Sequence, residues 1–291
     1  IVYSDSTPGV TNTYTRAGML KSVSDGAGTK VLTLSSVGLV LGESYIDGLL
    51  AGHSLLRSRD EYNRVSNIRV SNVYDEVFSE VNYKYDGASR ILGVSHGDVS
   101  AGYGYEDDST LITSLSVSND SDEIMYTTKY HDHLNRLVDS TTMLTGRVLA
   151  SYVYTYVEAN RRTSANMANG TKWHYGYDLL GQVTSAVRRL GSGAPMSGYT
   201  FDYEYDGIGN RTAAMRGGYT NRYTANSMNQ YSQMDVVGVA HLLGEASTGA
   251  YVAVNLRSVT RNDRYFHADL PADNQSSAAL VEAKIVAVMS E

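Results

Sequence analysis

One short motif recurs along most of the chain and limits the fold more than any other feature: Tyr-x-Tyr-Asp, with Gly, Asn or Ser three residues after the Asp. Aligned on the position that is Asp in the clearest copies, here called the anchor, it occurs in ten registers spaced by 20 to 28 residues. The anchors are Thr15, Ser35, Asp60, Asp86, Glu106, Asp132, Val157, Asp178, Asp206 and Asn226. A period of this length is typical of repeat architectures, in which each unit stacks on its neighbours.

The residue three positions after each anchor predicts a hairpin turn. These residues are Gly18, Gly38, Asn63, Ser89, Ser109, Asn135, Asn160, Gly181, Gly209 and Asn229. Gly and Asn tolerate positive φ, which a short hairpin built on a type I turn requires at its last turn residue. An acidic or Asn anchor can accept a backbone N–H at the first turn position. Each copy is therefore predicted to be the tip of a β-hairpin.

Pairs of tyrosines precede many of these tips. In a strand, side chains two residues apart lie on the same face, so both rings of a pair face one side of the sheet. The pairs are Tyr83 and Tyr85, Tyr103 and Tyr105, Tyr154 and Tyr156, Tyr175 and Tyr177, and Tyr203 and Tyr205. Tyr occurs 24 times, against three Phe and one Trp, and combines a large packing surface with a hydroxyl that can contact water. We predict a tyrosine-rich sheet that can line a polar interior.

Composition excludes several classes of function. A net charge of −7 argues against a nucleic-acid groove, because phosphate binding requires clustered Lys and Arg. The absence of Cys removes disulfides, thiolate zinc sites and a Cys nucleophile. No stretch reaches the roughly 18 apolar residues of a membrane helix, so we expect no membrane span.

Titratable residues give weak signals for a catalytic or metal site. His131 and His133 flank Asp132 and would share a strand face, but Asp132 is an anchor, which favours a turn over a metal site. The other histidines, His53, His96, His174, His241 and His267, show no ligand spacing. Acidic clusters at 106–108 and 120–123 could bind Ca²⁺ or supply a carboxylate pair, but solvated turn residues are the simpler interpretation. We therefore expect no catalytic residues, no cofactor and no metal.

The last part of the chain differs from the array. The motif stops near Tyr231, and we predict a repeat array over residues 1–235 and a second module over 236–291. Alternating segments at 249–255, 264–270 and 281–288, separated by turn-rich links, predict a small β-sandwich. The Gly- and Ser-rich segment 191–198 is predicted to be an elongated loop within the array. Because the pattern is already present at Tyr14, we expect the chain to be a segment of a longer polypeptide.

Four segments resemble the YD repeat of RHS (rearrangement hotspot) proteins. They are residues 85–91, 177–183, 205–212 and 223–231, which read YDGASRI, YDLLGQV, YDGIGNRT and YTANSMNQY. The tail resembles small bacterial Ig-like modules at 249–255, although Leu256 stands where Gly is usual. The residues that define the repeat are Tyr83, Tyr85, Asp86, Tyr103, Tyr105, Asp132, Tyr175, Tyr177, Asp178, Gly181, Tyr203, Tyr205, Asp206, Gly209 and Asn229.

The resemblance implies an all-β fold in which a spiralling antiparallel β-sheet forms a partial shell or barrel, followed by the small Ig-like sandwich. In bacterial RHS proteins and toxin-complex subunits such a shell typically encloses a C-terminal toxin, and in teneurins it forms an extracellular body. None of the three Pro residues follows an Asp, so the autoproteolytic Asp-Pro site of toxin-bearing members cannot be assigned here.

Three functions compete at this point. The first is a structural, non-enzymatic segment of a secreted or cell-surface protein, of bacterial source, that encapsulates or displays a polymorphic C-terminal domain; its partners would be other segments of the same polypeptide. The second is a carbohydrate-binding or adhesion module, because Tyr rings stack well on sugars. The third is an enzyme, which the sequence supports least because no nucleophile, base and orienting residue can be assembled from the motifs.

Overall fold

The computed structural model describes residues 1–2, 4–120, 122–274 and 276–289. Over these residues the chain forms 26 β-strands and no helix. In particular, that part of the chain contains no candidate membrane-spanning helix. The predicted all-β class is confirmed.

Twenty strands belong to one sheet. They are β1 (Thr11–Tyr14), β2 (Leu20–Asp25), β3 (Gly28–Leu34), β4 (Val40–Tyr45), β5 (Ser54–Arg59), β6 (Val65–Ser71), β7 (Val77–Tyr85), β8 (Ile91–His96), β9 (Val99–Tyr105), β10 (Ile112–Asn119), β11 (Asp122–His131), β12 (Leu137–Leu144), β13 (Arg147–Tyr156), β14 (Arg162–Met167), β15 (Lys172–Tyr177), β16 (Val183–Arg189), β17 (Pro195–Tyr205), β18 (Arg211–Arg216), β19 (Tyr219–Ala225) and β20 (Tyr231–Met234).

Six shorter strands follow. They are β21 (Val239–Glu245), β22 (Ala250–Val254), β23 (Arg257–Ser258), β24 (Thr260–Asn262), β25 (Tyr265–Pro271) and β26 (Ile285–Met289). They form two three-stranded sheets, one in the order β21, β25, β24 and the other in the order β23, β22, β26.

Consecutive strands of the large sheet pair antiparallel, from β1 to β11 and from β13 to β20. Antiparallel neighbours can be joined by very short turns, and the chain supplies one at nearly every reversal. The anchor turns all occur at the same end of the strands, between β1 and β2, β3 and β4, and each following odd and even pair. The predicted antiparallel sheet of successive hairpins is confirmed.

The pairing register shifts beside most anchor turns. Lys84 pairs with Gly93, but the next residue, Tyr85, pairs with Ile91. The same shift occurs at Tyr205 in the β17–β18 hairpin. A β-bulge of this kind increases the local right-handed twist of the strands. Most repeats therefore carry their own twisting element.

The chain divides into two compact units. The first comprises Ile1–Lys129 and Thr142–Arg147. Its side chains are mostly half-buried, and Ser71 and Thr127 are buried. The unit therefore has little enclosed apolar core. Backbone hydrogen bonds between strands and contacts among half-buried side chains hold it together.

The second unit comprises Tyr130–Thr141 and Val148–Glu291, and it contains the larger hydrophobic core. Val252 and Val254 of β22 pack with Phe266 and Leu270 of β25, so the two three-stranded sheets share one apolar cluster. Strand β17 also contacts β24 and β25. Strands occupy much of each alternating segment predicted for residues 236–291. The Ig-like character of this module and its boundary at residue 236 stay predictions.

One local prediction was wrong. Residues 191–198 are not an elongated loop, because Leu190 and Ala194 close a tight turn and β17 begins at Pro195. The Leu190 N–H donates to the Ala194 carbonyl at 2.9 Å, and Gly193 takes the positive φ of 87°. Pro is tolerated here because it is the first residue of the strand. The turn accounts for Gly191, Ser192 and Gly193, while Ser197 and Gly198 belong to β17.

Candidate functional site

The anchor turns share one hydrogen-bond pattern. At Asp86, the backbone N–H donates to the Arg90 carbonyl at 2.9 Å, and the Ser89 N–H donates back to the Asp86 carbonyl at 3.0 Å. The side-chain Oδ1 of Asp86 accepts from the N–H groups of Ala88 and Arg90, at 2.9 and 2.8 Å. Asp132 and Asp206 accept corresponding backbone bonds in their own turns. The Asp178 Oδ1 accepts from the Gln182 N–H at 2.8 Å.

The small residues after the anchors have the positive φ that such a turn requires. The φ values are 64° at Ser89, 87° at Gly181, 94° at Gly209 and 59° at Asn229. Ser109 differs from the prediction, because in that copy the positive φ falls on Asp108.

The reason for this difference is a longer turn. The Glu106 N–H donates to the Leu111 carbonyl, one position further along the chain than in the other copies. The extra residue moves the left-handed position relative to the anchor. The acidic cluster 106–108 thus lies in a turn, while Ser121 of the second cluster lies outside the described residues.

The tyrosine immediately before an anchor bonds the preceding repeat. The Tyr85 hydroxyl donates to the Val65 carbonyl at 2.8 Å, and the Tyr105 hydroxyl donates to the Ile91 carbonyl at 2.7 Å. The same bond is made by Tyr156 to Leu137, Tyr177 to Arg162 and Tyr205 to Val183, at 2.7 to 2.9 Å. The partner tyrosines Tyr83, Tyr103, Tyr175 and Tyr203 lie two residues upstream in the same strands and are half-buried.

An arginine four residues after the anchor joins one turn to the next, and it is not among the residues predicted from the sequence. Arg90 Nε donates to Asp86 Oδ2 at 2.6 Å, while its Nη1 donates to the Glu106 carbonyl at 3.1 Å and also to the Ser109 carbonyl. Its guanidinium carbon lies 4.6 Å from the centre of the Tyr105 ring. We call this set of contacts the turn clamp.

The turn clamp recurs in both units. In the first unit Arg64 bonds Asp60 and the Asp86 carbonyl and lies 4.5 Å from the Tyr85 ring centre. In the second unit Arg136 bonds Asp132 and the Val157 carbonyl. The signal that could have revealed it is the fixed offset of Arg from the anchor.

Two further copies show how the clamp varies. Arg161 follows the anchor Val157, which has no carboxylate, and donates only across to the Asp178 carbonyl, at 2.8 Å. Asn210 takes the place of Arg after Asp206 and donates to the Asp206 Oδ2 at 2.9 Å. Arg161 therefore keeps the link to the next turn although its own turn has no ion pair.

The clamp also stabilises the charged anchors. The hydrogen bond from Arg90 lowers the pKa of the Asp86 carboxyl, and the bond from the Asn210 amide lowers the pKa of Asp206. These carboxylates are thus held ionised as acceptors for backbone N–H groups and are not tuned for proton transfer. Asp132 behaves as one of these turn carboxylates, although His131 and His133 flank it.

A second feature is a groove on the aromatic face of the second unit. It has a volume of about 480 Å³. It is lined by Arg162, Tyr175, Tyr177, Val183, Ala186, Tyr203, Tyr205 and Arg211. The guanidinium of Arg211 lies 4.6 Å from the Tyr203 ring centre, and that of Arg162 lies 3.9 Å from the Tyr154 ring centre. Burial raises the pKa of the Tyr175 hydroxyl. The groove combines ring faces with guanidinium donors.

A third feature is a cluster of His241, His267 and Asp269 on β21 and β25. The Asp269 Oδ1 lies 2.7 Å from both His241 Nδ1 and His267 Nε2. Strand pairing places His241 directly opposite Asp269, and His267 stands two residues earlier on the same strand. Burial lowers the pKa of His267, with the charge of Asp269 acting in the opposite sense. The sequence shows these histidines 26 residues apart, and only the strand register brings them together.

No protein-family model and no curated protein matches the chain. Among solved structures, it is similar to a Photorhabdus luminescens Tc holotoxin pore with a mutated TccC3, at 14% identity and a TM-score of 0.53, over 84% of this chain and 14% of that one. A TcdB2–TccC3–Cdc42 complex is similar at 12% identity and a TM-score of 0.47, over 92% of this chain and 18% of that one. The chain thus spans less than a fifth of the length of each of these two chains. Together with the antiparallel sheet and its repeated turns, the first of these likenesses shows that the chain has an RHS/YD-repeat-like fold.

Proposed function

We propose that the chain is a structural, non-enzymatic segment of a secreted or cell-surface RHS-repeat protein of bacterial origin. Its sheet forms part of a β-shell that encapsulates or displays a polymorphic, toxin-like C-terminal domain of the same polypeptide. The turn clamp carries this proposal. It uses the charged residues of the repeat to join neighbouring hairpins. A shell wall requires such contacts between successive hairpins.

The packing of the array supports a wall stiffened by polar contacts. Within the twenty-strand sheet, the buried apolar side chains among the described residues are Ala165, Met196 and Ala213. An array with so little apolar core needs other contacts between repeats. The tyrosine hydroxyl bonds and the clamps supply these contacts along the turn edge from Asp60 to Glu106 and from Asp132 to Asp206.

The fold comparison supports a role within a larger polypeptide. The chain corresponds to 14% of the Tc holotoxin chain that it resembles. Its partners are accordingly other segments of its own polypeptide, and neither nucleic acid nor a membrane span is part of the proposal. The net charge of −7 is consistent with a wall that does not attract nucleic acid.

Limited proteolysis of the complete polypeptide tests the shell. The region that follows this chain should resist protease in the wild type and become cleavable when Arg90→Ala and Arg136→Ala together open two clamps. Arg147→Ala is the matched control, because Arg147 is exposed and belongs to no clamp. Equal cleavage of that region in the complete wild-type polypeptide and in the same region expressed alone would contradict encapsulation.

The aromatic groove favours a second candidate, carbohydrate binding. Its four tyrosines offer apolar ring faces for sugars, and Arg162 and Arg211 offer donors for sugar hydroxyls. Binding on a glycan array should be lost with Tyr203→Ala or Tyr205→Ala. Tyr74→Ala is the control, since Tyr74 is 87% exposed in a turn of the other unit. An array without any bound glycan would rule this candidate out.

A further inference from the structure

Three ligand atoms of the β21–β25 pair converge on one point. His241 Nδ1 and His267 Nε2 are 3.3 Å apart, and each lies 2.7 Å from Asp269 Oδ1. Among the described residues, this is the one group of three such side chains whose ligand atoms all lie within 4.8 Å of one another. His267 is 6% exposed, so the cluster is partly shielded from water.

The spacing of the imidazole nitrogens suits a tetrahedral cation. With Zn–N bonds of about 2.0–2.1 Å, two nitrogens on one zinc are separated by about 3.3 Å, the edge of the tetrahedron. Two imidazoles and one carboxylate leave a fourth position for water. Imidazole nitrogen favours zinc and its neighbours over Ca²⁺ and Mg²⁺, which prefer oxygen ligands.

Ser197 of β17 holds one of these rings in place. Its Oγ lies 2.9 Å from His267 Nδ1, the nitrogen that faces away from Asp269. A hydroxyl can accept from Nδ1–H when Nε2 binds a cation, which is the usual supporting contact of a metal-bound histidine. The backbone of β17 approaches closely at Gly198, where a Cβ would lie 2.8 Å from His267 Cδ2. The ring therefore has little freedom to turn away.

We propose that His241, His267 and Asp269 bind one divalent cation of the zinc class, with Ser197 orienting His267. The contacts also follow the order Ser, His, Asp of a nucleophilic triad. In such a triad the serine contacts Nε2 of the histidine and the carboxylate accepts from Nδ1–H. Here the ring is reversed, with Ser197 on Nδ1 and Asp269 on Nε2 of His267. The second imidazole on the same carboxylate oxygen is what distinguishes a cation site. This inference is independent of the shell and of the carbohydrate groove, because none of its residues lines that groove or forms a clamp.

Zn²⁺ titration of the untagged, chelator-treated chain against a chromophoric chelator tests the site. We expect one Zn²⁺ per chain and a loss of affinity of at least a hundredfold in His241→Ala and in Asp269→Asn. Ser197→Ala should lower the affinity by about 10- to 100-fold, because it removes only the supporting contact. His96→Ala and His174→Ala, at exposed histidines outside the cluster, should leave the affinity unchanged.

A second measurement separates cation binding from folding of the variants. Zn²⁺ should raise the unfolding temperature of the wild type, and Mg²⁺ and Ca²⁺ should not. Co²⁺ should give the strong visible absorption of a four-coordinate site in the wild type and none in His241→Ala. Zn²⁺ affinity that is equal in the wild type and His241→Ala, or an unfolding temperature of the wild type that Zn²⁺ leaves unchanged, would overturn the proposal.

Discussion

Arginine at the fourth position after the anchor makes three kinds of contact at once. Arg90 pairs with the Asp86 carboxylate, donates to the Glu106 carbonyl and lies over the Tyr105 ring. Its planar, forked guanidinium can make all three contacts in one geometry, which the single ammonium of Lys cannot. At the residue scale, the repeat is therefore defined as much by this arginine as by the Tyr-Asp pair that identifies it in the sequence.

Replacing this arginine should weaken the sheet even where charge is kept. We expect Arg90→Ala to lower the free energy of unfolding by about 1–2 kcal/mol, from the lost carbonyl bonds and ring contact. Arg90→Lys should lose most of the same amount. Arg147→Ala should stay within about 0.5 kcal/mol of the wild type, as for an exposed side chain. Chemical denaturation measures all three, and full stability of Arg90→Lys would show that charge alone matters.

Acid should remove the contribution of the ionised anchors. The bond from Arg90 lowers the folded-state pKa of Asp86 below its ordinary value of 3.8. A group with a lowered folded pKa stabilises the fold above the unfolded pKa, and this contribution is lost as the pH falls through the folded pKa. We expect wild type to exceed Asp86→Asn in stability by a constant amount between pH 5 and 7, and by a shrinking amount below about pH 4.

Asn is a suitable replacement because the chain already uses it as an anchor. The Asn226 Oδ1 accepts from the N–H groups of Met228 and Gln230, at 2.9 and 3.1 Å, as Asp86 does in its own turn. Asp86→Asn therefore removes the charge and keeps the turn. Urea unfolding over a series of pH values measures the difference, and a difference that grows on acidification would refute this account of the anchor.

At the scale of the hairpin, the left-handed position is the most restrictive one. Gly209 has a φ of 94°, and a Cβ there would lie 3.1 Å from the Gln182 Nε2. Gly207 lies in the same turn, where a Cβ would meet nothing within 4 Å. The two positions therefore lie in one turn but differ in backbone conformation and in the space that a Cβ would have.

Gly209→Val should thus destabilise the β17–β18 hairpin by ~1–3 kcal/mol, because a β-branched residue is strained at positive φ. Gly207→Val should have a much smaller effect. Hydrogen exchange of the hairpin amides, together with the free energy of unfolding, distinguishes a local from a global loss. Equal destabilisation by both substitutions would mean that surface exposure of Val, and not φ, is responsible.

The hairpins were predictable from sequence because their determinants are local. The anchor, the small residue three positions later and the alternating strand residues are close together in sequence. Asp86 and Ser89 are therefore sufficient to predict their turn. The positive φ predicted at Ser109 was wrong because this turn is one residue longer, which places the positive φ on Asp108. The cluster at His241 was not predictable, since it depends on the pairing of β21 with β25 across 26 residues. The clamp depends on contacts between repeats, although the recurrence of Arg after the anchor signals it.

At the scale of the whole chain, the strands at the two ends of the array differ from the inner strands in their hydrogen-bonding partners. Strands β2 to β10 and β14 to β19 have a partner on each side, and clamps and tyrosine bonds connect many of their turns. Among the described residues, β1 pairs only with β2, and β20 pairs only with β19. Each of these strands presents unpaired backbone groups, which in a longer polypeptide would be covered by neighbouring segments.

The isolated chain should therefore self-associate through these edges. We expect size-exclusion chromatography with light scattering to give a mass that rises with concentration above that of one chain, because an open strand edge pairs with another strand. Asn12→Lys on β1 together with Gln233→Lys on β20 should reduce the association, since a charged edge resists pairing. Ser36→Lys, in an anchor turn away from both edges, is the matched control and should leave it unchanged. A mass of one chain at all concentrations would mean that both edges are already protected, and this chain would then be a closed body and no open segment of a shell.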